Sequence, residues 1–187
     1  MLIVRRIKQD GLHLIKARTD TQLVTEEAIL RIGSFGLELN FMPLPKPEWR
    51  SFPPADYADP AFLVTDEASA FYGAFEGESY IGCAAVTTTP NGWADVIDLQ
   101  VDASFRRQGA GHMLLEKCAS FAQRHQLYGI RVACTDHNPV MCQFLLHEGF
   151  TLCGYDAMVL TRSPNERLKP KSKRPTLLLF YRLIQKG

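Results

Sequence analysis

The sequence lacks a marked excess of either charge, and it lacks any long apolar run. Among its 187 residues, 21 Lys and Arg stand against 20 Asp and Glu, for a formal net charge of +1. Global electrostatics therefore favour neither nucleic acid nor an anionic membrane as a partner. The basic residues near the N-terminus are not followed by an apolar run, so we expect no signal peptide and no membrane span. The composition, 46% hydrophobic, is typical of a soluble globular domain.

The chain also has no Cys-x-x-Cys pair, and its cysteines are odd in number. We interpret them as reduced and mostly buried thiols of a cytoplasmic protein. A zinc site formed by Cys134, His137 and Cys142 is an alternative, but the spacing matches no usual pairing of ligands, and we expect no metal. The five cysteines are Cys83, Cys118, Cys134, Cys142 and Cys153.

Two common phosphate-binding motifs are missing as well. No Gly-Lys-Ser or Gly-Lys-Thr follows a glycine-rich stretch, and the three-glycine dinucleotide fingerprint fits poorly. A different glycine loop is present, in which Arg106, Gly109 and Gly111 fit the pattern Arg/Gln-x-x-Gly-x-Gly/Ala. An apolar strand pattern at 96–101 precedes this loop, and a helical pattern at 111–125 follows it.

This loop predicts a cradle for a pyrophosphate. Glycines let a phosphate chain approach the backbone, and the first N–H groups of a helix supply donors and the positive end of its dipole. The side chains of Arg106 and Arg107 add cationic charge for an anion. A plain strand-to-helix turn that uses glycine for its positive φ is the alternative.

The remaining pattern predicts one α/β or α+β domain with a central, largely antiparallel sheet. We expect residues 1–60 to form a variable N-terminal part, with an irregular proline-rich loop at 43–60, and residues 61–187 to form the core. Asn138 is placed to cap a helix that ends at Gly149. Strands are predicted at 2–7, 37–42, 68–76, 79–88, 94–101, 130–134, 150–160 and 176–184, and further helices at 19–31 and 109–125.

With the strand, the glycine loop, the helix, Asn138 and the Gly149-Phe150 pair in this order, the chain resembles the GCN5-related N-acetyltransferases. The resemblance covers about residues 61–184. Within that family, the segments 150–156 and 180–183 look like those of the streptothricin acetyltransferases. The resemblance implies the acyl-CoA N-acyltransferase fold, in which splayed strands receive the cofactor, and it implies acetyl-CoA as that cofactor.

The resemblance also implies which residues bind acetyl-CoA. The amides of the glycine loop and of the following helical turn would hold the pyrophosphate, and the main chain before the loop would pair with the pantetheine. Asn138 would lie near the far end of the pantetheine arm. The implied cofactor-binding residues are Leu99, Gln100, Val101, Arg106, Arg107, Gln108, Gly109, Ala110, Gly111, His112 and Asn138.

Two departures from the family pattern concern the chemistry. Leu145 stands where the family commonly has a tyrosine that protonates the leaving thiolate, and Ile97-Asp98 stands where the streptothricin enzymes have a Glu-Asp pair. Asp98 is a candidate for orienting the substrate ammonium or for accepting its proton through water. A carboxylate that is only hydrogen-bonded to a neighbouring loop is the alternative. Tyr155 is a second candidate catalytic residue, or an apolar wall.

We therefore expect acetyl transfer to a primary amine of a small cationic molecule, such as a streptothricin-like antibiotic or a polyamine-like amine. The alternative is a non-catalytic acyl-CoA-binding relative that acts as a sensor or interaction module. We expect no nucleic-acid or membrane partner. The basic loop at 161–175 is interpreted as solvated, with a lid or a homodimer contact as the alternative.

Overall fold

The structure, a computed structural model, describes residues 1–15, 19–52, 57, 59–157 and 175–184. Its strands are β1 (Leu2–Arg6), β2 (Asp20–Gly33), β3 (Gly36–Phe52), β4 (Ser69–Glu76), β5 (Ser79–Thr88), β6 (Trp93–Val101), β7 (Gly129–Thr135), β8 (Thr151–Asp156) and β9 (Leu177–Leu183). Its α-helices are α1 (Phe62–Thr65), α2 (Ala110–Arg124) and α3 (Pro139–His147), with 3₁₀ turns at Gln9–Leu14 and Ala103–Phe105.

The chain divides into two compact units. The first comprises Met1–Asp20, Ser51–Arg131 and Leu183–Gly187, and the second comprises Thr21–Arg50 and Val132–Arg182. Strand β7 begins in the first unit and ends in the second. The fold class predicted from the sequence, mixed α/β with a mostly antiparallel sheet, is confirmed. Among the described helices, none is long and apolar enough to cross a membrane.

The first unit is built on an antiparallel meander. Its strands are hydrogen-bonded in the order β1-β4-β5-β6, followed by the start of β7. The predicted hairpin between β4 and β5 is confirmed, and Gly77 turns it with a φ of +59°, a conformation that glycine adopts without strain. At the β6 side, Arg131 Nε donates to Asp95 Oδ1 at 2.7 Å.

The two faces of this meander pack against different elements. Successive side chains of a strand point to opposite faces, so Phe71 and Tyr72 of β4 belong to different faces. The α2 face includes Tyr72, whose hydroxyl accepts from Arg124 at 3.1 Å. On the other face lies an apolar group that we name the Phe71 cluster. It consists of Ile7, Ile15, Leu63, Phe71, Phe75, Cys83 and Ala85, with Tyr57 and Tyr80 packed against it.

The second unit pairs the end of β7 with β9, and β9 with β8. Strands β8 and β9 are antiparallel, with Leu152 opposite Phe180. Helix α3 begins as predicted, because the Asn138 side chain accepts the Met141 N–H at 3.1 Å, which satisfies one donor of the first turn. Gly149 follows the helix with a φ of +79°, again as predicted.

The predicted helix at 19–31 is wrong, because these residues belong to β2. Val24 and Ala28 are buried, and a spacing of four residues fits one face of a helix and one face of a strand equally well. The segment is also rich in residues branched at Cβ, which favour strands. Its pairing with β3 decided between the two periods.

The predicted irregular loop at 43–60 is wrong for residues 43–52, which continue β3. Pro43, Pro45 and Pro47 occupy alternate positions, so their missing N–H groups fall along the same edge of the strand. Within the described residues, β3 pairs with β2 in a two-stranded sheet, and proline is tolerated on such an outer edge. The predicted strand at 150–160 is present as β8, and residues 158–160 lie outside the described residues, as does most of the basic loop.

Candidate cofactor and acceptor site

The end of β6 and the start of α2 build the predicted cradle in the first unit. After the 3₁₀ turn at Ala103–Phe105, Gly109 takes a φ of +90° and leads into α2. Gly109 at the N-cap has no side chain to cap this helix, and the first internal bond runs from Met113 N–H to Gly109 O at 3.0 Å. The N–H groups of Ala110, Gly111 and His112 precede that bond. An uncapped helix start behind a glycine fits an anion such as a pyrophosphate.

The guanidinium of Arg106 closes the base of this loop. Its Nε donates to the Val101 carbonyl at 2.9 Å, and its terminal nitrogen forms an ion pair with Asp20 at 2.6 Å. Both charged side chains are about a quarter exposed, 27% and 26%. Arg106 therefore holds the base of the loop with its charge paired to Asp20, and its place among the cofactor-binding residues stays a prediction. Arg107 has a φ of +62°, and its place among the cofactor-binding residues stays a prediction.

Strand β5 fixes the path of the main chain just before the loop. Gly82 lies opposite Val101, and a Cβ at Gly82 would come within 2.5 Å of the Gln100 carbonyl oxygen. Because backbone atoms cannot move aside as a side chain can, only glycine fits there. No pattern in the sequence indicates this close approach. Residues 99–101, whose main chain is predicted to pair with pantetheine, are thus positioned by a glycine on the neighbouring strand.

Asp98 lies on β6 opposite Ala85, on the sheet face that carries the Phe71 cluster. Its Oδ2 accepts from the Tyr57 hydroxyl and from the Cys83 thiol, the latter at 3.6 Å. Burial raises the pKa of the Asp98 carboxyl above its ordinary value. Hydrogen bonds from Tyr57, Cys83, the Leu99 N–H and Gln100 oppose that rise in pKa without cancelling it. A carboxylate in apolar surroundings is held in this way by donors.

The sequence patterns did not identify Tyr57 as a candidate site residue. It lies 41 residues from Asp98, in a proline-rich stretch that predicted only an irregular loop. Its ring meets Phe71 edge to face, with the centroids 6.3 Å apart and the planes at 81°. Burial and the neighbouring Asp98 raise the pKa of Tyr57, so the phenol stays protonated at neutral pH. The alternative for Asp98, a hydrogen bond to a neighbouring loop, is therefore present in the structure.

The remaining predicted residues belong to the second unit. The Asn138 side chain caps α3, and its place at the cofactor stays a prediction. Leu145 is fully buried, at 0% exposure, so the position where the family has its tyrosine is part of the apolar core here. Tyr155 is 46% exposed on β8, opposite Leu178, and its catalytic role stays a prediction.

All five cysteines are free thiols. The sulfurs of Cys134 and Cys142 lie 3.6 Å apart, and neighbouring His137 presents its carbonyl to Arg50 at 2.9 Å. Across the described ranges, no group of three His, Cys, Asp or Glu side chains is arranged to hold a metal. The structure thus gives no support to the zinc alternative.

The strand, the glycine loop and the helix stand in the order expected of the acyl-CoA N-acyltransferase fold, and a family comparison agrees. The model of the acetyltransferase (GNAT) family matches residues 38–150, which is more than half of the chain. The protein belongs to the GNAT family of acetyltransferases. The resemblance to the GCN5-related N-acetyltransferases, a family whose cofactor is acetyl-CoA, is confirmed.

Among characterised relatives, streptothricin acetyltransferase from Escherichia coli is 33% identical over 117 residues, which are 63% of this chain and 64% of that protein. Streptothricin acetyltransferase A from Bacillus subtilis (strain 168) is 26% identical over 101 residues, which are 54% of this chain and 58% of that protein. The match thus spans less than two thirds of either relative.

Solved structures show a similar fold over almost the whole chain. A Bacillus anthracis str. Ames protein assigned as a streptothricin acetyltransferase, solved with acetyl coenzyme A, has a TM-score of 0.80 at 18% identity and covers 99% of this chain and 98% of its own. Nourseothricin acetyltransferase has a TM-score of 0.78 at 18% identity and covers 98% and 99%. At this identity the likeness concerns the fold alone.

Proposed function

We propose that this protein is an acetyl-CoA-dependent N-acetyltransferase that acetylates a primary amine of a small cationic molecule. The observation that carries the proposal is the glycine-led start of α2, which a short loop connects to β6, the strand that bears Asp98. One continuous stretch of chain thereby offers an anion site and a carboxylate about ten residues apart, as a transferase with an anionic cofactor and a cationic acceptor requires.

Acetyl-CoA supplies the activated acetyl thioester. The amides of Gly109, Ala110, Gly111 and His112 bind its pyrophosphate, and Arg107 and Gln108 flank it. The main chain of Leu99, Gln100 and Val101 pairs with the pantetheine. Glycine at position 109 and the missing side-chain cap keep this surface open to phosphate oxygens.

Asp98 attracts the acceptor ammonium and helps to make it neutral, because only the free amine is a nucleophile. The free amine would then attack the thioester carbonyl carbon without a covalent enzyme intermediate. The amide C–N bond would form as the C–S bond breaks, and the proton lost from nitrogen would pass through water to the departing CoA thiolate. A main-chain N–H suffices to polarise the thioester carbonyl.

The acceptor class follows from the carboxylate and from the relatives. Two relatives are streptothricin acetyltransferases by name, and streptothricin-like compounds are rich in amines, as are polyamines. Asp98 favours such cations over neutral or acidic acceptors. Free thiols throughout the chain support a reducing, cytoplasmic location.

The test is a panel of amines with acetyl-CoA and a thiol-detecting readout. Streptothricin, spermidine and an aminoglycoside represent three cationic classes, and an acidic amine such as glutamate is the negative control. We expect Asp98→Asn to lower turnover with the best amine by about 10²-fold. Glu78→Gln removes the same charge from the exposed turn between β4 and β5, and we expect it to leave turnover unchanged.

Calorimetry with acetyl-CoA separates the proposal from its alternative. Tight acetyl-CoA binding with no turnover on any amine would favour the sensor or interaction module. The buried Leu145, in place of a tyrosine acid, is the observation that favours that alternative. Absence of both binding and turnover would contradict both functions.

A further inference from the structure

We propose that Tyr57 is a catalytic residue that relays the acceptor's ammonium proton to Asp98, so that the two side chains act as one unit. This proposal rests on the function proposed above and deepens it. It concerns the acceptor half of the reaction, for which the glycine loop carries no information. Its basis is a hydrogen bond between two residues that are far apart in sequence and meet on the sheet face that carries the Phe71 cluster.

Asp98 is surrounded by hydrogen-bond donors. Its carboxyl group accepts from the Tyr57 hydroxyl, the Cys83 thiol, the Leu99 N–H and the Gln100 side chain. An ionised carboxylate has about four acceptor sites. Four donors therefore leave little room for a substrate ammonium to bind Asp98 directly.

Tyr57 has a free hydrogen-bond acceptor site, which Asp98 lacks. Its hydroxyl hydrogen is given to Asp98. Within the part of the chain that the structure describes, no other residue donates a hydrogen bond to the hydroxyl oxygen, so its lone pairs are available to a ligand. The side chain is also partly exposed. The phenol is therefore the group that an ammonium can reach.

Packing contacts hold the Tyr57 side chain in place. Its ring packs edge to face on Phe71, which is 1% exposed, and Cys83 of the same cluster donates to the same Asp98 oxygen. A rigid aromatic contact fixes the direction of the hydroxyl better than a surface loop does. The titratable groups facing the pair are Cys83 and, beside Tyr57, Tyr80.

The proton balance is simple. An N–H bond of the ammonium breaks as an O–H bond forms at Tyr57 Oη, while the original Tyr57 O–H bond breaks and a new one forms at Asp98 Oδ2. The products are a neutral amine, a neutral phenol and a carboxylic acid, which returns its proton to water when the site opens. Burial raises the pKa of both groups, which favours a protonated Asp98 and prevents a stable tyrosinate.

The kinetic test uses Tyr57→Phe, Asp98→Asn and the double variant with the best amine of the panel. We expect each single variant to lower kcat/KM near neutral pH by about 10²-fold. Because the two residues act as one unit, we expect the double variant to be no slower than the worse single variant. The loss in Tyr57→Phe should shrink as pH rises, since a larger fraction of the amine is then free without the relay.

Tyr80→Phe is the matched control, because it removes a hydroxyl from another tyrosine packed against the same cluster. We expect its kcat/KM to stay within about twofold of the parent protein. Acetyl-CoA affinity should be the same in the parent and in Tyr57→Phe. Multiplicative losses in the double variant, or a Tyr57→Phe pH profile parallel to that of the parent, would overturn the relay.

A second measurement does not depend on turnover. NMR of the side-chain carboxyl carbons follows the Asp98 titration directly. The Tyr57 hydrogen bond lowers the pKa of Asp98, so we expect Tyr57→Phe to raise it further, and an unmoved titration would overturn the proposal. A parent protein that acetylates no amine overturns the proposed function and the relay together. An active parent with an equally active Tyr57→Phe overturns the relay alone.

Discussion

The two halves of the candidate site in the first unit are built in opposite ways. The cradle is a run of consecutive residues, from the end of β6 into α2, and its geometry follows from local backbone conformation. The acceptor half joins Asp98 to Tyr57, which are 41 residues apart, and depends on packing of the Phe71 cluster. The contrast teaches that a cofactor site can be local while the chemistry beside it is not.

Gly109→Ala tests the local half. The φ of +90° at Gly109 is strained for any residue with a Cβ, and we expect acetyl-CoA affinity to fall by about 10²-fold, since strain of about 1–3 kcal/mol acts on the cradle itself. Calorimetry gives the affinity. Gly77→Ala is the matched control, because Gly77 also has a positive φ and open space around it. It should lose similar stability and keep its acetyl-CoA affinity.

Gly82→Ala tests whether β5 sets the path of residues 99–101. A Cβ would meet the Gln100 carbonyl oxygen at 2.5 Å, and we expect about 2 kcal/mol of lost stability with about tenfold weaker acetyl-CoA binding. Denaturant unfolding measures the lost stability, and calorimetry measures the acetyl-CoA affinity. At Gly73 the nearest atoms are side-chain atoms of Phe75, Ile7 and Tyr80, which have freedom to shift. Gly73→Ala should thus cost less stability, and equal effects would contradict the role of Gly82.

Asp20→Asn tests the clamp at Arg106. Removing the charge from a partly exposed ion pair costs about 1 kcal/mol of stability or less, and we expect acetyl-CoA to bind about threefold more weakly because the loop base loosens. Glu48→Gln is the control, since Glu48 pairs with Arg50 on β3. Tighter binding of acetyl-CoA by Asp20→Asn would show instead that a released Arg106 contacts the phosphate.

The pH dependence of stability should carry a small signature of Asp98. Its pKa is raised in the folded state, so between the unfolded and the folded pKa values the native protein binds the extra proton. The contribution of Asp98 to stability is therefore present at low pH and declines as pH rises through that window, by less than about 1.4 kcal/mol per pH unit. Denaturant unfolding of the parent and of Asp98→Asn across acidic pH measures it. A difference that does not change with pH would contradict the raised pKa.

Local sequence patterns correctly predicted the elements whose conformation depends mainly on neighbouring residues. The β4–β5 hairpin follows from its turn glycine, and α3 follows from Asn138 and Gly149 at its two ends. Local patterns gave the wrong prediction for β2, because Val24 and Ala28 fit one face of a helix and one face of a strand equally well. They gave the wrong prediction for β3, because alternate prolines are compatible with a strand only on an edge that pairs with no other strand. In both cases the pairing with a neighbouring strand decided the structure, and this pairing cannot be recognised from the residues of the segment alone.

The amino-acid sequence alone was sufficient to recognise the family, the glycine loop at 106–112 and Asp98 as a candidate, because helix starts, glycine turns and strand periods are properties of neighbouring residues. Tertiary structure alone decided that Arg106 is a clamp paired with Asp20, that Gly82 lies against the Gln100 carbonyl, and that Tyr57 binds Asp98. These contacts form only when distant segments are packed together, and the free energy that drives this packing comes mainly from burying apolar side chains.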